Sequence, residues 1–206
     1  MFIETLKYSL QNLKGTLRDN VSTAFFFICF SVFVDLIREN IPAENVSTQF
    51  ILGIVDILGS SLFYALFLNY LLGITKFSTL NFFVYFRVNI LYSIFFFLGS
   101  LAFVLPGVWA LTFLYFAPVM ALEGRVHSKY FKESILLVKR APWTVFGLSV
   151  ILLLLMAFDF WFLGLLKAAT VGEGLKYVLL VVSNLAVVVI NIYLFITTVF
   201  LYRKLG

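Results

Sequence analysis

The chain has 206 residues, of which 63% are hydrophobic and only 12% charged, against roughly 25% charged in an ordinary soluble domain. A water-soluble fold of this size has too little interior to hide so much apolar surface, so lipid is the solvent for most of it, and residues 1–206 read as a single membrane domain. The net charge of +5 does not point to nucleic acid, because the basic residues lie in short segments flanking apolar blocks, where they set topology and meet anionic headgroups.

Residues 1–18 do not read as a cleavable signal peptide, since Asp35, Arg38 and Glu39 follow the first apolar block with no small-x-small site before them. Ile3, Leu6, Leu10, Leu13 and Leu17 recur at spacings of three and four, which is one face of a helix. Lys7, Lys14 and Arg18 fall beside that stripe. The pattern predicts an amphipathic helix that either lies among anionic lipid headgroups or packs on the protein's own loops.

Six apolar blocks follow, each long enough for about 20 residues of bilayer. Transmembrane helices are predicted at 21–37, 48–74, 82–105, 108–122, 143–166 and 177–202. Pro106-Gly107 is expected to turn the chain between the third and fourth, and Pro118 to kink the fourth or mark where it unwinds. The long polar segment from Glu123 to Arg140 reads as a second interfacial helix. Phe131, Ile135 and Val138 face one way on it, and Lys129, Lys132, Lys139 and Arg140 another. Pro142 suits an early position of the fifth span, and Trp143 suits the interface.

Lysine and arginine placement sets the orientation. With the N-terminus inside, 12 of the 15 fall on the inner side and only Arg38, Lys167 and Lys176 on the outer. The positive-inside rule therefore predicts both termini in the cytoplasm.

Polar residues inside spans are costly unless paired, and they carry the leads to function. Asp35, Asp56, Asp159 and Asn184 fall in the outer half under this topology, with Asn191 one heptad below Asn184. They either line a polar cavity open to the outer side or bond helices together. Asp56, about 12 Å in from the end of its helix by the 1.5 Å rise, is expected to be paired. Amides, Ser60 and water are its expected partners, with no lysine or arginine at that level. Glu123 is expected to bridge to Arg125 or Lys129, and Arg87 to snorkel to the inner surface. Asn45-Val46-Ser47 matches a glycosylation sequon in a short connector.

Cys29 is the single cysteine and His127 the single histidine, so a histidine–cysteine zinc or haem site has no ligand set. No nucleophile elbow, phosphate-binding glycine loop or zinc-protease helix occurs. No catalytic, metal-binding or cofactor-binding residue is predicted.

The stretch Leu105-Pro106-Gly107-Val108-Trp109, then Phe116-Ala117-Pro118-Val119-Met120-Ala121-Leu122-Glu123-Gly124, then Lys132-Glu133-Ser134-Ile135-Leu136-Leu137-Val138-Lys139-Arg140 before Trp143 resembles the YciC-like family of bacterial inner-membrane proteins. That family is related to the membrane domain of some glycerophosphodiester phosphodiesterases. Ser183-Asn184-Leu185 and Ile192-Tyr193-Leu194-Phe195 in the last span are similar too. The specific matches cover about a third of the chain. The resemblance implies a bacterial cytoplasmic-membrane location and an all-α six-helix bundle with an N-terminal amphipathic helix. It transfers no catalytic residue, and nothing in these 206 residues corresponds to a phosphodiesterase domain.

The expected function is non-enzymatic: support of envelope or lipid homeostasis, or membership of a larger membrane complex, with anionic lipids and membrane proteins as partners. The alternative is a small transporter or substrate-binding membrane subunit using an outer-half polar cavity around Asp56, Asp159 and Asn184.

Overall fold

Apolar helices satisfy every mid-segment backbone group internally, which is what a chain immersed in lipid requires. A computed structural model describes the backbone of residues 1–42, 45–102, 104–124, 129–168 and 172–206, with side chains for all of these except 102, 104, 156, 158–168, 173 and 176. Among the described residues all regular structure is helical: α1 (Phe2–Asp19), α2 (Val21–Asn40), α3 (Val46–Leu72), α4 (Thr79–Ala102), α5 (Val104–Phe113), α6 (Ala117–Glu123), α7 (Tyr130–Val138), α8 (Pro142–Ala168) and α9 (Glu173–Leu205).

Local chemistry sets most of the ends. Only Asn20 separates α1 from α2, and its side-chain amide donates to the Thr16 carbonyl at 3.0 Å. Pro42 follows α2, where a helix cannot continue. Asn45 caps α3 by accepting from the Thr48 N–H at 3.3 Å and the Thr48 hydroxyl at 2.9 Å. Gly73, at φ 71°, closes α3 in the left-handed conformation that glycine adopts without strain.

Among the described residues, five stretches of helix are long and apolar enough to cross a membrane: Val21–Asn40, Val46–Leu72, Thr79–Leu101, Leu105–Glu123 and Tyr177–Leu205. Tyr130–Val138 with Pro142–Leu155 makes a sixth if that pair, bent by 110°, counts as one span. The broken span Leu105–Glu123 is the central one, 67% buried against 11–33% for the other four. Its Phe116, Ala121 and Leu122 meet Val138, Leu148 and Leu201 in the larger core. A smaller core joins α2, α3 and α9 through Phe27, Phe67, Val188 and Ile192, with Phe27 stacked on Phe63 at 5.0 Å.

The structure corrects or sharpens the sequence expectations at four points. Pro106-Gly107 is no turn; it lies in the first turns of α5, where the missing proline N–H would have no helical partner anyway. Glycine lets the hairpin close tightly: a Cβ on Gly99 would sit 2.8 Å from the Pro106 and Gly107 backbones. Second, the break expected at Pro118 falls over Leu114–Phe116, before the span resumes with Pro118 at the start of α6, because proline cannot donate to the Leu114 carbonyl four residues back. Third, α2 runs on to Asn40 rather than ending at 37, which puts Arg38 on the helix. Fourth, among the described residues of the Glu123–Arg140 segment, Glu123 ends α6 and the second helix, α7, covers Tyr130–Val138, with Ser134 at the centre of its buried face. Residues 125–128, including Arg125, lie outside the described residues.

Candidate functional site

Two polar regions stand at opposite ends of the bundle. At the end away from the termini, α2 carries Asp35 and Arg38 one turn apart, where they form an ion pair at 3.3 Å. The guanidinium reaches across to Asp56 of α3 at 2.9 Å. Ser60 donates to the other Asp56 oxygen at 3.3 Å, and the Asn184 amide of α9 donates to the other Asp35 oxygen at 3.0 Å. All four carboxylate oxygens therefore accept a hydrogen bond; Arg38 joins α2 to α3, and Asn184 ties α9 to the same group through Asp35. This corrects the expectation that no cation reaches Asp56. Once α2 continues past 37, Arg38 points back along the bundle instead of trailing in the connector. The side chains of Asp35, Asp56 and Arg38 are 28%, 33% and 38% exposed, so the group is half-buried, not sealed.

The other predicted members separate. Asn191 donates to the Tyr64 hydroxyl at 3.3 Å, two turns along α9 from Asn184. Asp159 lies on α8, and its side chain is outside the described residues. The sequence signal missed here was the Asp35-x-x-Arg38 spacing, a helical ion pair in plain view.

At the end that holds the termini, α1 lies across three helices. Phe2 lies beside Gly147 of α8, Tyr8 stacks on Phe200 of α9 at 4.1 Å, and Asp19 accepts from the Tyr70 hydroxyl of α3 at 2.8 Å. Thr197 donates to Ser9 at 2.8 Å, and Lys204 bonds Glu4 at 2.7 Å. The face that α1 buries is Thr5, Ser9 and Thr16, flanked by Leu6, Leu13 and Leu17. Small hydroxyl residues let two helices approach closely, and they outcompete the apolar stripe for the contact. Ile3 and Leu10 stay outside, both 66% exposed, on the same face as Lys7, Lys14 and Arg18.

Two carboxyls on α1 are held below their ordinary values. The hydrogen bond and charge of Lys204 lower Glu4 from 4.5, and the hydrogen bond from Tyr70, with help from Arg18, lowers Asp19 from 3.8.

Lys132 on α7 and Lys139 at its C-terminal cap are exposed beside Lys129 and Arg140, and the Arg140 guanidinium bonds the Leu205 carbonyl. Glu123 accepts from the Tyr202 hydroxyl at 2.6 Å. Ser134, fully buried, repairs the break in the central span: its hydroxyl donates to the Phe113 carbonyl at 2.9 Å and accepts the Phe116 N–H at 3.1 Å. Among the described residues no group of three potential metal ligands is found.

The fold and these contacts define a multi-pass helical membrane protein. Comparison with protein-family models, with curated proteins and with solved structures returns no match.

Proposed function

We propose that this chain is a non-enzymatic protein of a bacterial cytoplasmic membrane, with both termini in the cytoplasm. Its role is to support lipid or envelope organisation, alone or as a membrane subunit of a larger assembly. The observation that carries the reading is the outward face of α1, where Ile3 and Leu10 alternate with Lys7, Lys14 and Arg18 while Glu4 and Asp19 are engaged by protein groups. Apolar residues at the acyl boundary and cations at the phosphates are what a helix in an anionic headgroup layer presents. Lys129, Lys132, Lys139 and Arg140 around α7 extend the basic surface. The preponderance of lysine and arginine on this side of the spans and the resemblance to the YciC-like family support the same orientation and compartment. At the far end, the matched oxygens of Asp35 and Asp56 favour a structural clamp over the transporter alternative.

The test places a fluorophore at Leu10→Cys, in a Cys29→Ser background, with the protein in vesicles containing bromine-labelled acyl chains. Quenching is expected in bilayers containing phosphatidylglycerol. It should fall by half or more when Lys7, Lys14 and Arg18 become glutamate. Equal quenching in both proteins removes the lipid-surface reading.

A further inference from the structure

Between α1, the end of α3 and the end of α9 lies a cavity of about 380 Å³. Tyr8, Asn12 and Thr16 form one wall, Tyr70 and Val199 another, and Arg203 stands at its edge. Its lining mixes polar and apolar atoms about equally, unlike the groove lined by Phe95, Leu98, Trp109 and Phe131, which is almost wholly apolar and needs only acyl chains to fill it.

Arg203 is the informative residue. Neighbouring Lys204 is spent on Glu4 and lies over the Phe200 ring, and Arg18 pairs with Asp19 through Nε while its side chain points to the exposed face. Arg203 makes no hydrogen bond or ion pair to any described residue, although it borders a cavity with other donors. The Asn12 amide gives one N–H to the Tyr8 carbonyl at 2.8 Å and keeps a second. The Tyr8 ring is fixed by its stack on Phe200, which leaves its hydroxyl as a further donor. A planar guanidinium, an amide N–H and a phenol around a space of this size match the oxygens of a phosphate ester. Asp19, near the rim, is balanced by Arg18 at 3.3 Å and by the Tyr70 hydroxyl.

Depth agrees with the chemistry. By the 1.5 Å rise the 33 residues of α9 extend about 50 Å, well beyond a hydrocarbon core of about 30 Å. Arg203, in the last turn of α9, therefore falls at the level of phosphates, while Leu71, Ile196 and Val199 continue the cavity toward the acyl region.

We propose that this cavity binds a phosphate ester through Arg203 and Asn12, the headgroup of an anionic phospholipid being the source that its apolar continuation favours. The proposal rests on the lipid-surface reading of α1 and adds a defined site and ligand class to it.

The experiment uses the full chain in a neutral detergent. It measures the shift in thermal unfolding on adding phosphatidylglycerol, phosphatidylcholine, sn-glycerol 3-phosphate or inorganic phosphate. The variants are Arg203→Gln, Arg203→Lys, Asn12→Phe (which fills the cavity without changing charge) and the Lys7, Lys14 and Arg18 triple glutamate. Phosphatidylglycerol is expected to stabilise the wild type. Arg203→Gln and Asn12→Phe should each need roughly tenfold more lipid for the same shift, the scale of one lost charge-assisted bond. Arg203→Lys should lie between, and it keeps the test alive if Arg203→Gln does not fold. The same pattern with glycerol phosphate or inorganic phosphate supports the site with a soluble ligand as its source. An unchanged lipid response in Arg203→Gln and Asn12→Phe overturns the site. If the triple variant alone then loses the response, the α1 surface reading survives; if none of the variants does, both readings fall.

Discussion

Ser134 and Ser149 are both fully buried, and they should respond to alanine in opposite ways. Ser134 satisfies two backbone groups stranded by the break at Leu114–Phe116, the Phe113 carbonyl and the Phe116 N–H. Removing its hydroxyl leaves both without partners in a closed core, at about 1–3 kcal/mol for each group. Alanine returns a few tenths of a kcal/mol in helix propensity, so Ser134→Ala should cost roughly 2–5 kcal/mol. Ser149 is equally buried, but its hydroxyl has no partner among the described residues. Alanine there removes a desolvated group and improves propensity, so Ser149→Ala should be neutral or stabilising by up to about 1 kcal/mol. Reversible unfolding of each purified variant in mixed micelles, followed by circular dichroism against the mole fraction of dodecyl sulfate, gives both values on one scale. If the two variants agree within about 0.5 kcal/mol, or Ser134→Ala is the milder, then Ser134 does not hold the broken span together.

Arg38→Gln should destabilise the bundle by about 1–3 kcal/mol because it strands two carboxylates, and adding Asp56→Asn should recover part of that loss; a double-mutant cycle with no coupling would disprove the clamp. Glu4 and Asp19 titrate below their unfolded values, so their contribution to docking α1 is present above about pH 4.5 and is lost as pH falls through the lowered values. Hydrogen exchange over residues 2–19, corrected for its intrinsic pH dependence, should therefore quicken selectively below about pH 4, and Tyr70→Phe should remove the Asp19 share. Gly99→Ala should cost about 1–3 kcal/mol, since its Cβ meets the Pro106 backbone at 2.8 Å, whereas Gly53→Ala meets nothing within 4 Å and should be neutral or better in the same unfolding assay.

The spans were legible in the sequence because lipid demands about 20 apolar residues for each crossing, and α3 and α9 begin and end within a few residues of expectation. Small boundary errors had large effects on the site. Ending the first span at 37 hid the Asp35–Arg38–Asp56 arrangement, because an arginine assigned to a connector cannot be weighed as an intramembrane partner. Pro118 announced the break in the central span, but its repair by Ser134 joins residues about twenty apart, and no local pattern encodes that. On α1 the apolar stripe was correct as a pattern and misleading as a contact. The buried face is Thr5, Ser9 and Thr16 because α9 offers Thr197 and a close approach, and Ile3 and Leu10 are left for another environment.

The proposed topology is a multi-pass bundle with both termini in the cytoplasm. Single cysteines at Asn45, Lys76, Gly172 and Gly206, in a Cys29→Ser background, can be probed in intact bacterial cells with a membrane-impermeant maleimide. The account predicts labelling at Asn45 and Gly172, and protection of Lys76 and Gly206 until the membrane is opened. Labelling of Gly206 from outside, or protection of Asn45, would contradict it.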